Sequence, residues 1–399
     1  MTAIDTETAN AGSVHVRRVL AALFTATFVL GCTEMLVVGL LSRIADDLQV
    51  TIPAAGGLVT AYALGVALGG PLLTVATIRW DRRRVLLGGM GAALLAVLAP
   101  AVVPAMGYPA FVAVRVLTGA SAGLVIAAAF AMGTAIVEPA RRGRAISAVF
   151  SGIAVSGALG VPLGTLVGQS LGWRGTFVAV ALLGGVAVVA LALLAPPVPG
   201  TAGGTGDQVR HALAPRVLAV LALHVLVFAA LYAAMTYIVP FLEGVTGVSG
   251  QLVSVFLLVY GVANAAGSLV GGRFADRDAA RTLVAGTAGI AVALLVLHLV
   301  GAVPVLVAGV LLVLGMVAAS MVASLQYRVV DLAGPGGAVA QSLPASAANL
   351  GVAAGSLAGG VAIDALSVSA AVLTGVAVGV GAVAVAWATP RLRPAAALS

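Results

Sequence analysis

No lysine occurs in this chain, and charge of either sign is scarce. Charged residues fill 8% of its 399 positions, where a soluble globular domain carries roughly a quarter. A water-soluble fold of this length lacks the polar surface it needs here, so an integral membrane protein is the class that fits. The single thiol, Cys32, excludes an internal disulfide. A membrane-embedded enzyme needs His, Asp or Cys gathered for a metal or a nucleophile–base pair. The dispersed groups Glu34, Arg115, His224 and His298 do not supply such a set, so no metal, cofactor or catalytic residue is expected. No soluble output domain stands beside the apolar part, which argues against a sensor. No cleavage site follows Arg17-Arg18, so the first apolar stretch is expected to be retained.

What the chain does have is apolar length. It is 61% hydrophobic, with a mean hydropathy of +1.17. An α-helix of about twenty residues spans the roughly 30 Å of a bilayer's hydrocarbon core. Twelve such runs are predicted: 19–41, 57–77, 85–104, 109–133, 144–168 and 175–195, then 216–240, 251–272, 282–301, 304–325, 340–363 and 368–388. The 51 glycines lie largely inside these runs, where small residues let helices approach closely. The Pro/Gly/Thr-rich stretch 196–215 is the longest polar linker and divides the spans six and six. The organisation predicted is therefore a disordered cytoplasmic tail (1–18), a six-helix bundle (19–195), a cytoplasmic linker (196–215), a second six-helix bundle (216–388) and a C-terminal tail (389–399). The fold class is all-α integral membrane.

The arginines set the orientation. With the N-terminus in the cytoplasm, seventeen of the twenty face inward, Arg43 and Arg174 face outward, and Arg115 lies within the membrane. Both termini are then cytoplasmic. The +7 net charge follows from this topology and does not point to nucleic acid.

Glu34 sits inside the first run, AALFTATFVLGCTEMLVVGL, at residues 21–40. An ionisable group in a span is a functional candidate by default. It lies roughly 10 Å below the outer end, and Arg115 lies at a similar depth in the fourth run. A carboxyl that feels both a neighbouring cation and an apolar surrounding is suited to take a proton in one conformation and release it in another. Glu34 is therefore the candidate proton or cationic-substrate site, with Arg115 tuning it; a permanent structural ion pair is the alternative. Tyr232, Tyr237, Asn264, Gln341 and Asn349 are candidates for a substrate cavity, each offering a hydrogen-bonding group on an apolar span. His224 is expected to be a core histidine bonded to a backbone carbonyl.

Several stretches resemble the major facilitator superfamily and, within it, the twelve-span drug:proton antiporters. GRFADRD at 272–278 is similar to the loop motif G-x-L-a-D-r-x-G-r, with a reduced copy around Asp81. Arg115 and Gly119 fit the fourth-helix motif R-x-x-x-G. Residues 157–174 resemble the fifth-helix antiporter motif, with Val161 in place of the glycine before Pro162. Residues 31–48 and 341–360 are similar to the first and eleventh helices of bacterial exporters of arabinose, purine nucleosides and chloramphenicol.

The resemblance implies a monomeric transporter of the bacterial plasma membrane. It implies two bundles rocking about a central cavity, with protons and a small amphipathic molecule as partners. It further implies gating roles for Asp81, Arg273, Asp276 and Arg277, and a sealing helix built on Gly157, Gly160, Pro162 and Gly164. A proton-coupled importer or an uncoupled facilitator of the same fold remains open.

Overall fold

The computed structural model describes residues 3–103, 105–138, 141–200, 210–334, 340 and 343–392, with the side chains of 3–13, 143, 161 and 272–277 left aside. Among the described residues the regular structure is helical. Eleven helices there are long and apolar enough to cross a bilayer, and a shorter apolar helix covers Arg144–Gly160. Backbone breaks turn these into twelve crossings. In the helix Val161–Leu194, Gly172 has φ 73° and ψ 165°, which ends the fifth span (142–171) and begins the sixth (173–194). A side chain at that φ would be strained, so glycine marks the corner. Asp278, extended at φ −162°, separates the eighth span (Gln251–Gly271) from the ninth (Asp278–Leu299). The other crossings are Val14–Gly39, Ile52–Ala76, Arg82–Val102, Tyr108–Ala135, Pro215–Gly244, Pro304–Ala333, Leu343–Ala365 and Val368–Arg391.

Two boundaries depart from the sequence-based expectation for local reasons. The polar lead-in, predicted to be disordered, is helical from Ala3 and continuous with the first span. Extending a helix that is already nucleated is easy, and no proline interrupts this stretch. The second span begins at Ile52, five residues early, because Thr51 caps it by accepting the Ala54 N–H at 3.2 Å, with Pro53 in the first turn.

One packing unit recurs four times. The second span lies against the fourth, where a Cβ on Gly119 would strike the Tyr62 carbonyl. The fifth packs on the first in the same way, the eighth on the tenth, and the eleventh on the seventh. The sequence repeats with it. Ala67-Leu68-Gly69-Gly70-Pro71 in the second span matches Ala158-Leu159-Gly160-Val161-Pro162 in the fifth. Residues 265–272 (AAGSLVGG) in the eighth match 353–360 (AAGSLAGG) in the eleventh. In each pair the two helices cross the membrane in opposite directions, as inverted repeats within a half require. The proline of each first-half copy follows a π-helical turn, Gly65–Gly69 or Ser156–Gly160. Proline cannot donate to the carbonyl four residues back, and a wider turn absorbs the mismatch.

The exceptions to the arginine rule are both tied down. Arg43 donates to the Gly168 carbonyl at 2.7 Å. Arg174 pairs with Asp47 and lies over the Trp173 ring, whose Nε1 also donates to Asp47. Trp173, Phe111 and Phe177 stack into one aromatic cluster beneath them. At the opposite side Arg328 reaches Asp331 and the carbonyls of Thr389 and Leu392, clamping the end of the twelfth span to the tenth.

Candidate functional site

Arg115 is 1% exposed at the middle of the first half. Its Nε donates to the Leu58 carbonyl at 3.1 Å, Nη1 to that of Thr33 at 2.8 Å and Nη2 to that of Glu34 at 3.4 Å. Its guanidinium lies 4.5 Å from the Tyr62 ring centroid. A buried cation is costly unless its donors are satisfied. Here three carbonyls and a ring face satisfy it, and they join the first, second and fourth spans at one point.

Arg115 thus meets Glu34 through the main chain and not through the carboxylate. Among the described residues no ion pair joins the two side chains. They remain close enough to act on each other electrostatically. Glu34 itself is half-buried although it lies well inside a span. Its charge reaches the hydroxyls of Tyr62 and Tyr232. Tyr232, on the seventh span, is half-buried and directs its hydroxyl to the Met35 sulfur at 3.8 Å, one residue from Glu34. Tyr260 lies within electrostatic reach of Tyr232, and its hydroxyl lies near the Asn264 side chain one helical turn on. Glu34, Tyr232, Tyr260 and Asn264, all half-buried, are therefore the candidates for a polar lining shared by the two halves.

Chemically this lining offers a carboxyl free to hold a proton or an N–H group, phenol hydroxyls and an amide. The arginine behind it is already committed. Sequence reasoning missed Tyr62 and Tyr260. The i, i+4 spacing of Tyr260 and Asn264 was the available signal, since such residues share a helix face.

Of the other cavity candidates, Tyr237 falls elsewhere. Tyr237 is 1% exposed and donates to the Ser356 carbonyl at 2.8 Å, wedged between Gly56 and Gly360. It belongs to a seal between the halves and has no free hydroxyl for a ligand. Asn349 donates to the Ala345 carbonyl of its own helix at 3.0 Å. Gln341 lies outside the described residues. His224 bonds the Val220 carbonyl through Nδ1 at 3.1 Å, as expected of a core histidine.

The seal closes the side that the arginine distribution assigns to the outside. Ser42 donates to Glu243 at 2.7 Å, Gln169 to the Gly250 carbonyl at 2.8 Å, and Ser356 to the Gly56 carbonyl at 3.1 Å, each across the halves. The fifth-span motif takes part through its backbone. The Cβ of a residue at 261 would lie 2.7 Å from Ala158 Cα and 2.8 Å from the Gly157 carbonyl. Gly160 and Gly164 instead face Cys32 and Leu36 of the first span. Pro162 is buried just beyond the π turn.

Asp81 caps the third span by accepting the Arg84 N–H at 3.2 Å. In the second half the cap is Asp278, which accepts the Arg281 N–H at 3.0 Å and pairs with its side chain at 3.1 Å. Asp278, two residues beyond Asp276, thus caps the ninth span as Asp81 caps the third. The side chains of Arg273, Asp276 and Arg277 lie outside the described residues. If capping is the role of Asp81, Asp81→Asn retains stability and transport, while Asp81→Ala lowers stability by about 1 kcal/mol. Thermal unfolding in detergent, beside a transport assay, checks this; loss of transport in the Asn variant at full stability would show a further role.

The family model of the Major Facilitator Superfamily matches residues 23–343 and 240–399. An uncharacterized MFS-type transporter YtbD of Bacillus subtilis is 34% identical over 355 residues, covering 87% of this chain and 89% of that one. The inner membrane transport protein YdhP of Escherichia coli K12 is 33% identical over 358 residues, covering 87% and 89%. A chloramphenicol resistance protein of Streptomyces lividans is 33% identical over 345 residues, covering 84% and 86%. Among solved structures, a bacterial homologue of the human lysosomal transporter Spinster superposes with a TM-score of 0.77 at 17% identity, over 95% of this chain and 97% of that one. The architecture, the span count and the family match agree: the chain belongs to the Major Facilitator Superfamily and is a multi-pass membrane transporter.

Proposed function

We propose that the protein exports a small amphipathic molecule in exchange for protons, with Glu34 as the group that both ligands use in turn. The observation that carries this is the half-buried Glu34 carboxyl, well inside the first span and in no ion pair among the described residues. Arg115 is held on three main-chain carbonyls. It supplies a fixed positive potential without consuming the carboxylate, so protonation remains available as a switch. The likeness to a chloramphenicol resistance protein supports efflux and a neutral, hydrogen-bonding substrate of that kind.

In this reading residues 19–195 and 216–388 move as two bundles. The outer seal marks the state in which the cavity faces the cytoplasm, and both termini lie on that side. Tyr232, Tyr260 and Asn264 contact the substrate. Gly157 and Pro162 shape the crossing on which the outer side closes.

Everted membrane vesicles from an overexpressing host test the proposal. Uphill uptake of chloramphenicol that collapses on adding an uncoupler is the expected result. Flux that ignores the proton gradient would make the protein a facilitator and remove the exchange mechanism.

A further inference from the structure

On the side that the arginine distribution assigns to the cytoplasm, the second, third and fourth spans leave a groove of about 110 Å³. Thr74 and Ile78 line it from the second span, Arg82 and Val85 from the third, and Leu124, Ala127, Ala128 and Ala131 from the fourth. Three alanines on one wall leave the space unfilled. The groove is apolar: Thr74 turns its hydroxyl back to the Gly70 carbonyl at 2.8 Å, leaving Arg82 as the polar lining group. Ordered water needs two to four polar partners, so an apolar guest suits this space better than water.

The rim is strongly basic. Arg79, Arg82, Arg83 and Arg84 stand within six positions against one carboxylate, Asp81, which already serves as a helix cap. Arg82 and Arg83 hold the turn in place by donating to the carbonyls of Ile78 and Ala192. Arg79 and Arg84 are exposed, and neither side chain has a hydrogen-bond or ion-pair partner among the described residues. Trp80 between them is 61% exposed, where an aromatic ring anchors at a membrane interface. Basic pockets between spans on the cytoplasmic side suit anionic lipid headgroups.

We propose that this groove and its rim bind one anionic phospholipid of the inner leaflet. Part of an acyl chain fills the space against Ala127, Ala128 and Ala131. The headgroup phosphate sits over Arg79 and Arg84. Charge complementarity selects the headgroup, and the apolar walls select a lipid over a free anion.

The test uses the full-length protein in mild detergent, given equal amounts of phosphatidylglycerol and phosphatidylcholine with the same chains. Native mass spectrometry counts retained lipid. The wild type is expected to hold phosphatidylglycerol about tenfold better, equivalent to ~1.4 kcal/mol. Arg79→Gln with Arg84→Gln removes that preference. Ala127→Leu fills the groove and lowers retention of phosphatidylglycerol about tenfold with the arginines intact. Gel filtration reports folding, and Ala131→Leu serves if the first groove variant misfolds. Excess inorganic phosphate leaves retention unchanged. Equal retention of the two lipids by the wild type overturns the proposal. So does displacement by inorganic phosphate, which would mark a free-anion site, or full retention in a folded groove variant.

Discussion

Glu34→Gln is expected to abolish proton-driven accumulation while leaving folded protein in the membrane. Glutamine keeps the volume and most of the hydrogen-bonding capacity of the acid but cannot titrate. The contacts of Arg115 make the result informative. Its nitrogens rest on the carbonyls of Leu58, Thr33 and Glu34, none of which the substitution touches. Were the carboxylate instead the counter-ion of a buried arginine, neutralising it would strand a charge at a cost of about 3–5 kcal/mol and deplete the folded protein. The two arrangements therefore predict different abundances as well as different activities. Uphill uptake into everted vesicles should fall at least about tenfold, equivalent to ~1.4 kcal/mol of lost coupling. Downhill exchange of substrate across the same vesicles should persist, because the tyrosine and asparagine lining is intact. Wild-type uphill transport by the Gln variant would remove Glu34 from the mechanism.

The twelve crossings were legible in the sequence because each is a run of about twenty apolar residues, a signal that tertiary packing does not alter. The linker and the arginine-rich turns were legible for the same reason, being polar interruptions of that pattern. Side-chain direction was not. In a span that is apolar all round, the 3.6-residue period carries no contrast between faces. Tyr232 and Tyr237 therefore looked alike, although one borders Glu34 and the other is wedged into the outer seal. Depth along a helix was readable and placed Glu34 and Arg115 at one level. Which atoms meet at that level depends on rotamers, and the guanidinium chose the main chain. The cap in the second half was missed because Asp276 fits the motif while Asp278 holds the extended backbone that breaks the helix.

Gly261→Ala is expected to open the outer side and stop the transport cycle without unfolding either half. Gly261 lies where the eighth span crosses the π turn of the fifth. The added methyl would stand 2.7 Å from Ala158 Cα and 2.8 Å from the Gly157 carbonyl. Favourable carbon contacts lie near 3.5–4.0 Å, so the two helices must part by roughly 1 Å. No flexible side chain can yield in their place, since both atoms belong to backbone. The crossing joins the halves, so strain of about 1–3 kcal/mol falls on the sealed state and not on folding. Shifting a two-state equilibrium by that much changes the population ratio by about fivefold to a hundredfold or more. Uptake should fall accordingly. Ser254 is 3% exposed and its hydroxyl lies 3.4 Å from Gln169 Nε2 in the seal, so a cysteine there (Ser254→Cys, with Cys32→Ser) should label faster with an impermeant maleimide added from outside. Gly267→Ala provides the contrast, because its methyl would meet the Met316 backbone inside one half. That variant should lose thermal stability and leave maleimide labelling of the remaining folded protein unchanged. Unaltered labelling and normal uptake in Gly261→Ala would mean that this crossing does not gate the outer side.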